Sequence, residues 1–125
     1  MKAKEYYDLV EKRSLHRIVV SQEKSHDYAT GDVLSNFKRL AEAAGAIDID
    51  VATPHGYALF MVLLKLDRLN NLMKNHKAPK NESIEDTVID AQNYLDLAEA
   101  CYREAFTLPD PSKYRERFEE EIKGL

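Results

Sequence analysis

The feature that most constrains the fold is the segment 54–75, which is apolar on nearly every side before Lys65. Thr53-Pro54 precedes it, and this pair is typical of a helix start, with Thr as N-cap and Pro at the first helical position. A helix without a polar face cannot lie on the surface of a small protein. The sequence therefore predicts that this helix occupies the middle of a helical bundle.

The remaining pattern is helical too, and no pair of segments alternates as the strands of a hairpin do. Residues 15–20 end on β-branched side chains and fit a helix or a strand. Gly45 is placed to end one helix, residues 46–53 form a linker with Asp48 and Asp50, and residues 25–31 and 74–81 are expected to be loops. Helices are expected at 3–13, 32–44, 54–75, 82–106 and from Asp110-Pro111 to Gly124. The prediction is a single all-α domain, 1–125, built as a bundle of four to five helices.

Composition narrows the function classes. The net charge of −4 argues against a general affinity for nucleic acid or an anionic membrane, whose protein partners present a basic surface. The single cysteine, Cys101, excludes an internal disulfide and fits a reducing compartment. Charged residues interrupt the amino-terminal segment as a signal peptide, and the longest apolar run, 58–64, is too short to cross a bilayer. We expect a cytoplasmic protein.

The segment 82–94 is the strongest candidate for a functional site. Glu82, Asp86, Asp90 and Asn93 follow i, i+4, i+8 and i+11 spacing, which places them on one stripe of a helix. Like charges one turn apart destabilise a helix, whereas divalent cations take oxygen ligands and cancel the repulsion. Two plainer interpretations compete: a solvated face, and a capping box in which Ser83 and Asp86 start the helix.

The other sides of this helix help to decide between a site and a solvated face. An apolar seam is expected roughly opposite the acidic stripe, formed by Ile84, Val88, Ala91, Leu95, Ala98 and Tyr102. Ile89 and Leu97, however, fall on the acidic side, and Asn93-Tyr94 is an unusual pair to expose in mid-helix. These residues predict that something packs near the acidic face, as in the wall of a cleft.

Two other segments carry possible partners. Lys65 and Arg68 lie one turn apart and suit either carboxylates or phosphate oxygens, while Asp67 and Asn71 form a second, weaker pair of oxygen ligands. The polar segment 25–32 leads into a helix amino terminus, which favours anions. The side chains in it that could contribute to a site are His26, Asp27 and Tyr28. Thr30 or Asp32 would be the N-cap of the helix, and Asn36-Phe37 follow within it.

Taken in order, these segments resemble the phage-type members of the MazG-like all-α nucleoside triphosphate pyrophosphohydrolases. The resemblance covers about residues 25–104 and rests on His26-Asp27-Tyr28-Ala29, on Asp32 to Phe37, on Lys65 with Arg68, and on Glu82-Ser83-Ile84 with Asp86, Asp90, Asn93 and Tyr94. It implies a helical bundle that forms a dimer or tetramer and binds Mg²⁺ or Mn²⁺. The implied reaction is hydrolysis of a nucleoside or deoxynucleoside triphosphate, such as dGTP, to the monophosphate and pyrophosphate.

The resemblance also implies roles for individual residues. Catalysis and metal binding would fall to Glu82, Asp86 and Asp90, and the substrate site would include Asp27, Tyr28, Asn36, Lys65, Arg68, Asn93 and Tyr94. The sequence departs from the family in one respect. Better-known members carry Glu-x-x-Glu on one helix and Glu-x-x-Asp on the next, whereas this chain has Asp86-x-x-x-Asp90. Glu82, Asp67 or Asp27 would have to replace the first acidic pair.

Two further hypotheses belong to other classes. His26-Asp27 invites comparison with HD-type phosphohydrolases, for which His16 and Asp90 would be the additional metal ligands. Alternatively, the chain is a non-catalytic helical adaptor that dimerises through an apolar face. The adaptor hypothesis predicts no dependence on metal and no stabilisation by nucleotides.

Overall fold

The computed structural model describes residues 1–29, 31–80, 82–106 and 115–125, and for residues 115 and 116 the backbone alone. Five helices account for most of them, and no strand occurs in these ranges. The helices are α1 (Ala3–Tyr28), α2 (Ser35–Ile47), α3 (Pro54–Lys74), α4 (Ile84–Phe106) and α5 (Arg115–Lys123). The prediction of an all-α chain is confirmed. The predicted restart at Asp110-Pro111 lies outside the described residues.

Helix α3 is the central element, as its apolar sequence predicts. It packs against α4 along most of its length, and α1 and α2 pack on its other sides. The Thr53 hydroxyl accepts a hydrogen bond from the Gly56 amide at 3.1 Å, which confirms Thr53 as the N-cap with Pro54 in the first helical position. Helix α3 ends at Lys74, and the segment after it is a loop in which His76 has a φ of 52°.

The amino-terminal region differs most from its prediction. Residues 3–28 form one continuous helix of 26 residues, so that residues 15–20 are helical and residues 25–28 are the last turn of α1 rather than a loop. Propensity alone favoured turns there because Ser, His and Asp are weak helix formers. Tertiary hydrogen bonds to the backbone carbonyls of the last turn hold the helix together to its end.

Helix α2 is shifted relative to its expected range of 32–44. It begins at Ser35, and Asp32 lies before it, where its carboxylate accepts a hydrogen bond from the Leu34 amide at 2.9 Å. Gly45 does not end the helix. Helix α2 continues to Ile47 and stops at Asp48, which adopts the left-handed conformation with a φ of 60°.

Helix α4 packs on α3 through part of the expected seam, rotated toward the acidic stripe. Ala98 of the seam is buried and Ala91 half-buried, and Tyr102 lies against His55 of α3 with ring centres 5.5 Å apart, whereas Leu95 is 49 % exposed. The covered side of α4 also includes Thr87, Tyr94 and Cys101. Small side chains allow two helices to approach closely, and this rotation places Asp90 at the edge of the α3–α4 contact.

The buried apolar core is small. Among the described residues, the large buried apolar side chains are Leu40 and Leu72, joined by Ala29, Ala58 and Ala98. The other buried side chains are polar, and they include Asp27, Asn36, Arg68, Asn71 and Thr87. Apart from Asn36 on α2, this polar group lies where the end of α1 meets α3 and the beginning of α4.

Candidate functional site

The end of α1 is fixed by side chains that cap its carbonyl groups. The Asn71 amide donates to the Asp27 carbonyl at 2.7 Å, and the Lys77 ammonium donates to the His26 and Ala29 carbonyls at 3.1 and 3.3 Å. Arg39 donates to the Tyr28 carbonyl at 2.9 Å. The last carbonyls of a helix have no partner within the helix, so these bonds stabilise the turn that carries Asp27 and Tyr28.

Asp27 and Arg68 form a fully buried ion pair beneath this turn. One guanidinium nitrogen of Arg68 lies 2.8 Å from an Asp27 carboxylate oxygen, and neither side chain is exposed. The other Asp27 oxygen accepts the Lys80 amide at 2.9 Å. Arg68 also donates to the Thr87 hydroxyl and the Glu82 carbonyl, and thereby connects α1, α3 and the start of α4.

Lys65 occupies the gap between two carboxylates of the acidic stripe. Its ammonium lies 2.8 Å from Glu82 and 3.1 Å from Asp90, and its side chain is 12 % exposed. Burial by itself lowers the pKa of Lys65, but the hydrogen bonds to Glu82 and Asp90 outweigh burial, so that the pKa lies above its ordinary value. Lys65 therefore stays protonated and neutralises part of the acidic stripe.

Tyr28 borders the same group. Burial raises the pKa of its phenol, and the positive charges of Lys65 and Arg68 offset part of that effect. The Arg68 guanidinium carbon lies 5.9 Å from the centre of the Tyr28 ring, within the range of a weak cation–π contact. Six residues singled out from the sequence thus meet in one place, here named the α1–α3–α4 charge cluster: Asp27, Tyr28, Lys65, Arg68, Glu82 and Asp90.

The other candidate residues lie at its margin or outside it. Asp86 is exposed one turn before Asp90. Its backbone amide donates a hydrogen bond to the Ser83 hydroxyl at 3.0 Å, as the capping interpretation requires. Asn93 is exposed one turn beyond Asp90, and Tyr94 is half-buried against α3. Asn36 is buried on α2 and makes no hydrogen bond with the cluster.

The positions of the acidic side chains bear on the metal hypothesis. Among the described residues, no three His, Cys, Asp or Glu side chains come close enough together to hold a metal ion. Glu82 and Asp90 do converge, but on the ammonium of Lys65. Mg²⁺ in nucleotide sites is commonly held by one or two carboxylates together with substrate phosphates rather than by protein ligands alone. Of the carboxylates in the acidic stripe, Asp86 is exposed, whereas Asp90 and Glu82 are 38 and 33 % exposed and share Lys65.

The ligand set of an HD-type phosphohydrolase is not assembled. The His26 ring makes a hydrogen bond with the Ala78 carbonyl at 2.9 Å, and Asp27 is enclosed with Arg68. His16 is exposed on α1, and the helical rise puts it about 16 Å along the axis from Asp27. The proposed fourth ligand, Asp90, is bound to Lys65 instead.

The sequence did not reveal three residues that hold this site together. Thr87 is fully buried, accepts from Arg68 and donates to the Ser83 carbonyl at 3.0 Å. Arg39 binds Asp67 through two hydrogen bonds of 2.8 and 3.0 Å, which accounts for one member of the weaker oxygen pair. Lys77 caps α1 from the following loop. A threonine between an acid and a valine, or a lysine in a loop, carries no local pattern that distinguishes it.

None of the helices in the described part of the chain combines the length and apolar character that a membrane crossing needs.

Comparison of the chain with protein-family models, with curated proteins and with solved structures finds no match. Inference about function therefore depends on the residues and their geometry.

Proposed function

We propose that this chain is a metal-dependent nucleoside triphosphate pyrophosphohydrolase. Water would add at the α-phosphorus of a nucleoside or deoxynucleoside triphosphate, the bond to the β-phosphate oxygen would break, and the products would be the monophosphate and pyrophosphate. If the chain is phage-encoded, such an activity in the host cytoplasm would shape the nucleotide pool. A purine deoxynucleotide such as dGTP is the substrate that we would test first.

The observation that supports the proposal is the convergence of residues from three distant segments. Asp27 and Tyr28, Lys65 and Arg68, and Glu82 and Asp90 are separated by many residues in sequence but share one network of ion pairs and ring contacts. At the accessible margin of this network, Lys65, Glu82 and Asp90 can bind the oxygens of a polyphosphate and a divalent ion together, while the buried Asp27 and Arg68 support them from beneath. A purely solvated acidic face would not require a buried ion pair such as Asp27–Arg68 beneath it.

Within this proposal the residues have different tasks. Asp27 and Arg68 are sealed from solvent and would position Tyr28 and Glu82 from below. Lys65 is the cation closest to the exposed carboxylates and would transfer its hydrogen bonds from Glu82 and Asp90 to phosphate oxygens when substrate binds. Asn36, Asn93 and Tyr94 would form the outer part of the nucleotide site.

Mg²⁺ or Mn²⁺ would be bound by Asp86 and Asp90, with Glu82 as a further ligand once Lys65 has moved. When bound, the ion would neutralise phosphate charge and lower the pKa of a coordinated water. The carboxylates would orient the ion and accept the proton that the attacking water loses. We also propose that the active form is a homo-oligomer, a dimer or tetramer, because so few apolar residues are buried within one chain.

The direct test is pyrophosphate release from a panel of ribo- and deoxynucleoside triphosphates with Mg²⁺, with Mn²⁺ and with EDTA. The expected result is a metal-dependent release that falls at least about 100-fold in Asp90→Asn, since one catalytic ligand is lost. Glu85→Gln is the matched control, because Glu85 is an exposed carboxylate on the same helix outside the cluster. Equal loss in both variants would contradict the role given to Asp90.

A non-catalytic adaptor is the second candidate, and the apolar surface of the chain favours it: Leu34, Phe37 and Tyr57 are each more than half exposed. The two functions give different results in the same experiment. If no nucleotide is hydrolysed, and if none raises the melting temperature with either metal, the hydrolase proposal fails. The pairing of Lys65 with Glu82 and Asp90 would then be a structural interaction within a protein-binding module.

A further inference from the structure

The chain exposes more surface than a compact protein of its mass. Its accessible surface is 9860 Å², whereas about 6,800 Å² is expected for a compact monomer of this size. The charged segment 115–125 accounts for part of the difference because the side chains described there, from residue 117 onward, are exposed. The rest includes large apolar side chains on α1, α2 and α4, and water contact with these is unfavourable.

The amino-terminal part of α1 is the most extensive of these surfaces. Residues 1–22, here named the α1 arm, are exposed except for Ser14 and Val20, which are partly covered. Eight large apolar side chains in the arm are each at least 42 % exposed: Met1, Tyr6, Tyr7, Leu9, Val10, Leu15, Ile18 and Val19. Helices in proteins gain most of their stability from packing an apolar face. The arm therefore requires a partner surface that the described part of its own chain does not provide.

Charge indicates that this partner is a second copy of the chain. The α1 arm carries five basic and three acidic side chains, whereas the rest of the sequence carries thirteen basic and nineteen acidic ones. A basic arm and an acidic body attract each other between copies. Obligate homodimers bury about 1,000–2,500 Å² on each subunit, an area that the excess surface of this chain can supply.

One face of α4 matches the arm in both charge and apolar character. It carries exposed acids together with Ile89 and Leu97, which are 45 and 53 % exposed, and we name it the aliphatic–acidic face: Asp86, Ile89, Asn93, Asp96, Leu97 and Glu104. The sequence predicted that something packs near Ile89 and Leu97, but nothing in the described part of the chain covers them. Tyr7, Val10, Ser14 and Ile18 of the arm have the same i, i+3, i+7, i+11 spacing as residues 86, 89, 93 and 97.

The other open surface suits the arm less well. A groove of about 340 Å³ between α2 and α3 is lined by Leu40, Leu63 and Leu66 among others. Arg39 and Asp67 border it and form an ion pair, and an adjoining polar hollow of about 270 Å³ includes Lys74. This rim offers no net negative charge to a basic arm, so charge favours the face of α4 over the groove.

We propose that the α1 arm of one copy packs on the aliphatic–acidic face of α4 in a second copy, and that the exchange is reciprocal about a two-fold axis. This inference deepens the homo-oligomer part of the proposed function. Asp86 and Asn93 would then be shared between the interface and the proposed nucleotide site, and the partner's arm would line that site.

Sedimentation equilibrium of the full chain, without nucleotide, tests whether the chain associates through the proposed interface. The wild-type protein is expected to be a dimer or a larger even-numbered oligomer. Leu97→Asp and Ile18→Asp each place an unpaired charge in the interface and are expected to raise the dissociation constant at least about 100-fold. Leu66→Asp is the matched control: its side chain is 57 % exposed in the groove, and it should change the dissociation constant by no more than about twofold.

Cross-linking tests the contact without relying on a loss of binding. The chain has one cysteine, so Cys101→Ala gives a cysteine-free background. Ile18→Cys and Leu97→Cys are introduced into separate chains of different tag length, which are unfolded together, refolded and treated with a short bis-maleimide. The expected product is a covalent pair that contains one chain of each kind. Circular dichroism of each variant confirms that the helices are retained.

Three results would overturn the proposal: a monomeric wild-type protein, dissociation by Leu66→Asp but not by Leu97→Asp, or cross-linked pairs of like chains alone. None of these measurements involves hydrolysis. A protein that forms the arm-exchanged oligomer but releases no pyrophosphate contradicts the hydrolase proposal and supports the interface. An active protein that stays monomeric supports the hydrolase activity and contradicts the interface.

Discussion

At the scale of single residues, the buried Arg68 is the most consequential side chain in the described structure. It contacts Asp27, Thr87 and the Glu82 carbonyl, while its Nε atom is buried without a hydrogen-bond partner. A buried ion pair is costly to desolvate, and its net contribution to stability is small compared with the cost of breaking it. Arg68 therefore matters most for the arrangement it imposes on α1, α3 and α4.

Arg68→Met is expected to destabilise the protein by about 3–5 kcal/mol, because the Asp27 carboxylate would remain buried without its counter-charge. Combining it with Asp27→Asn should restore about 2 kcal/mol or more, since the orphaned charge is then removed. Urea unfolding of the single and double variants measures both values. Arg117→Met breaks an exposed pair with Glu121 and should cost less than about 0.5 kcal/mol. A double variant no more stable than Arg68→Met would show that the charge of Asp27 is not the cause.

The raised pKa values of Lys65 and Tyr28 predict a loss of stability at alkaline pH. Each group holds its proton more tightly in the folded chain than in the unfolded one. Above their ordinary values, near 10, the folded state binds more protons, so the free energy of unfolding falls as pH rises. Urea unfolding between pH 8 and 11.5 measures the slope of the free energy of unfolding against pH. Tyr28→Phe and Lys65→Met should each have a shallower slope than the wild type. Slopes unchanged in both variants would contradict the assignment.

At the scale of elements, the lengths of the helices follow from caps and contacts rather than from propensity alone. Gly45 and Gly56 show how the same residue type has opposite consequences. Gly45 lies within α2, where an added Cβ would meet nothing within 4 Å. Gly56 lies in the first turn of α3, where an added Cβ would collide with the Asp50 carbonyl and lie 2.6 Å from the Thr53 hydroxyl. Close passage of the linker thus requires glycine at position 56.

Gly45→Ala is expected to stabilise the chain by about 0.5–1 kcal/mol, because Ala has a higher helix propensity and the site is open. Gly56→Ala should instead destabilise it by about 1–3 kcal/mol, since the linker or the N-cap must shift to admit the methyl group. Thermal and urea unfolding of the two variants, measured side by side, compare the signs. Stabilisation by both substitutions would mean that the linker 46–53 yields freely and does not fix the start of α3.

At the scale of the whole molecule, a small buried apolar core contrasts with a large exposed apolar surface. The buried apolar residues of the described chain are five, and only Leu40 and Leu72 among them are large. Such a core is small for a domain of this length, and folding must compensate for the conformational entropy of every ordered residue. Burial between copies would supply the missing apolar contacts.

An oligomer held together in this way should melt at a temperature that depends on protein concentration. Because association favours the folded state by mass action, a hundredfold increase in chain concentration should raise the melting temperature by several degrees. Differential scanning calorimetry from low to high micromolar concentration measures the shift. Leu97→Asp, which is designed to weaken the interface, should melt lower and with less dependence on concentration. A melting temperature independent of concentration in the wild type would indicate a self-sufficient monomer.

The sequence by itself determined the helical class, the central position of α3 and its start at Thr53-Pro54, because these depend on local periodicity and capping. It also singled out the residues of the charge cluster: Lys65, Arg68, Glu82 and Asp90 by their helical spacing, and Asp27 and Tyr28 as part of a polar segment that was expected to be a loop. Only the tertiary structure decided that α1 is continuous through Tyr28, that α4 packs on α3 through its small residues, and that Lys65 lies between Glu82 and Asp90. These depend on contacts between residues distant in sequence, and such contacts have no local periodicity.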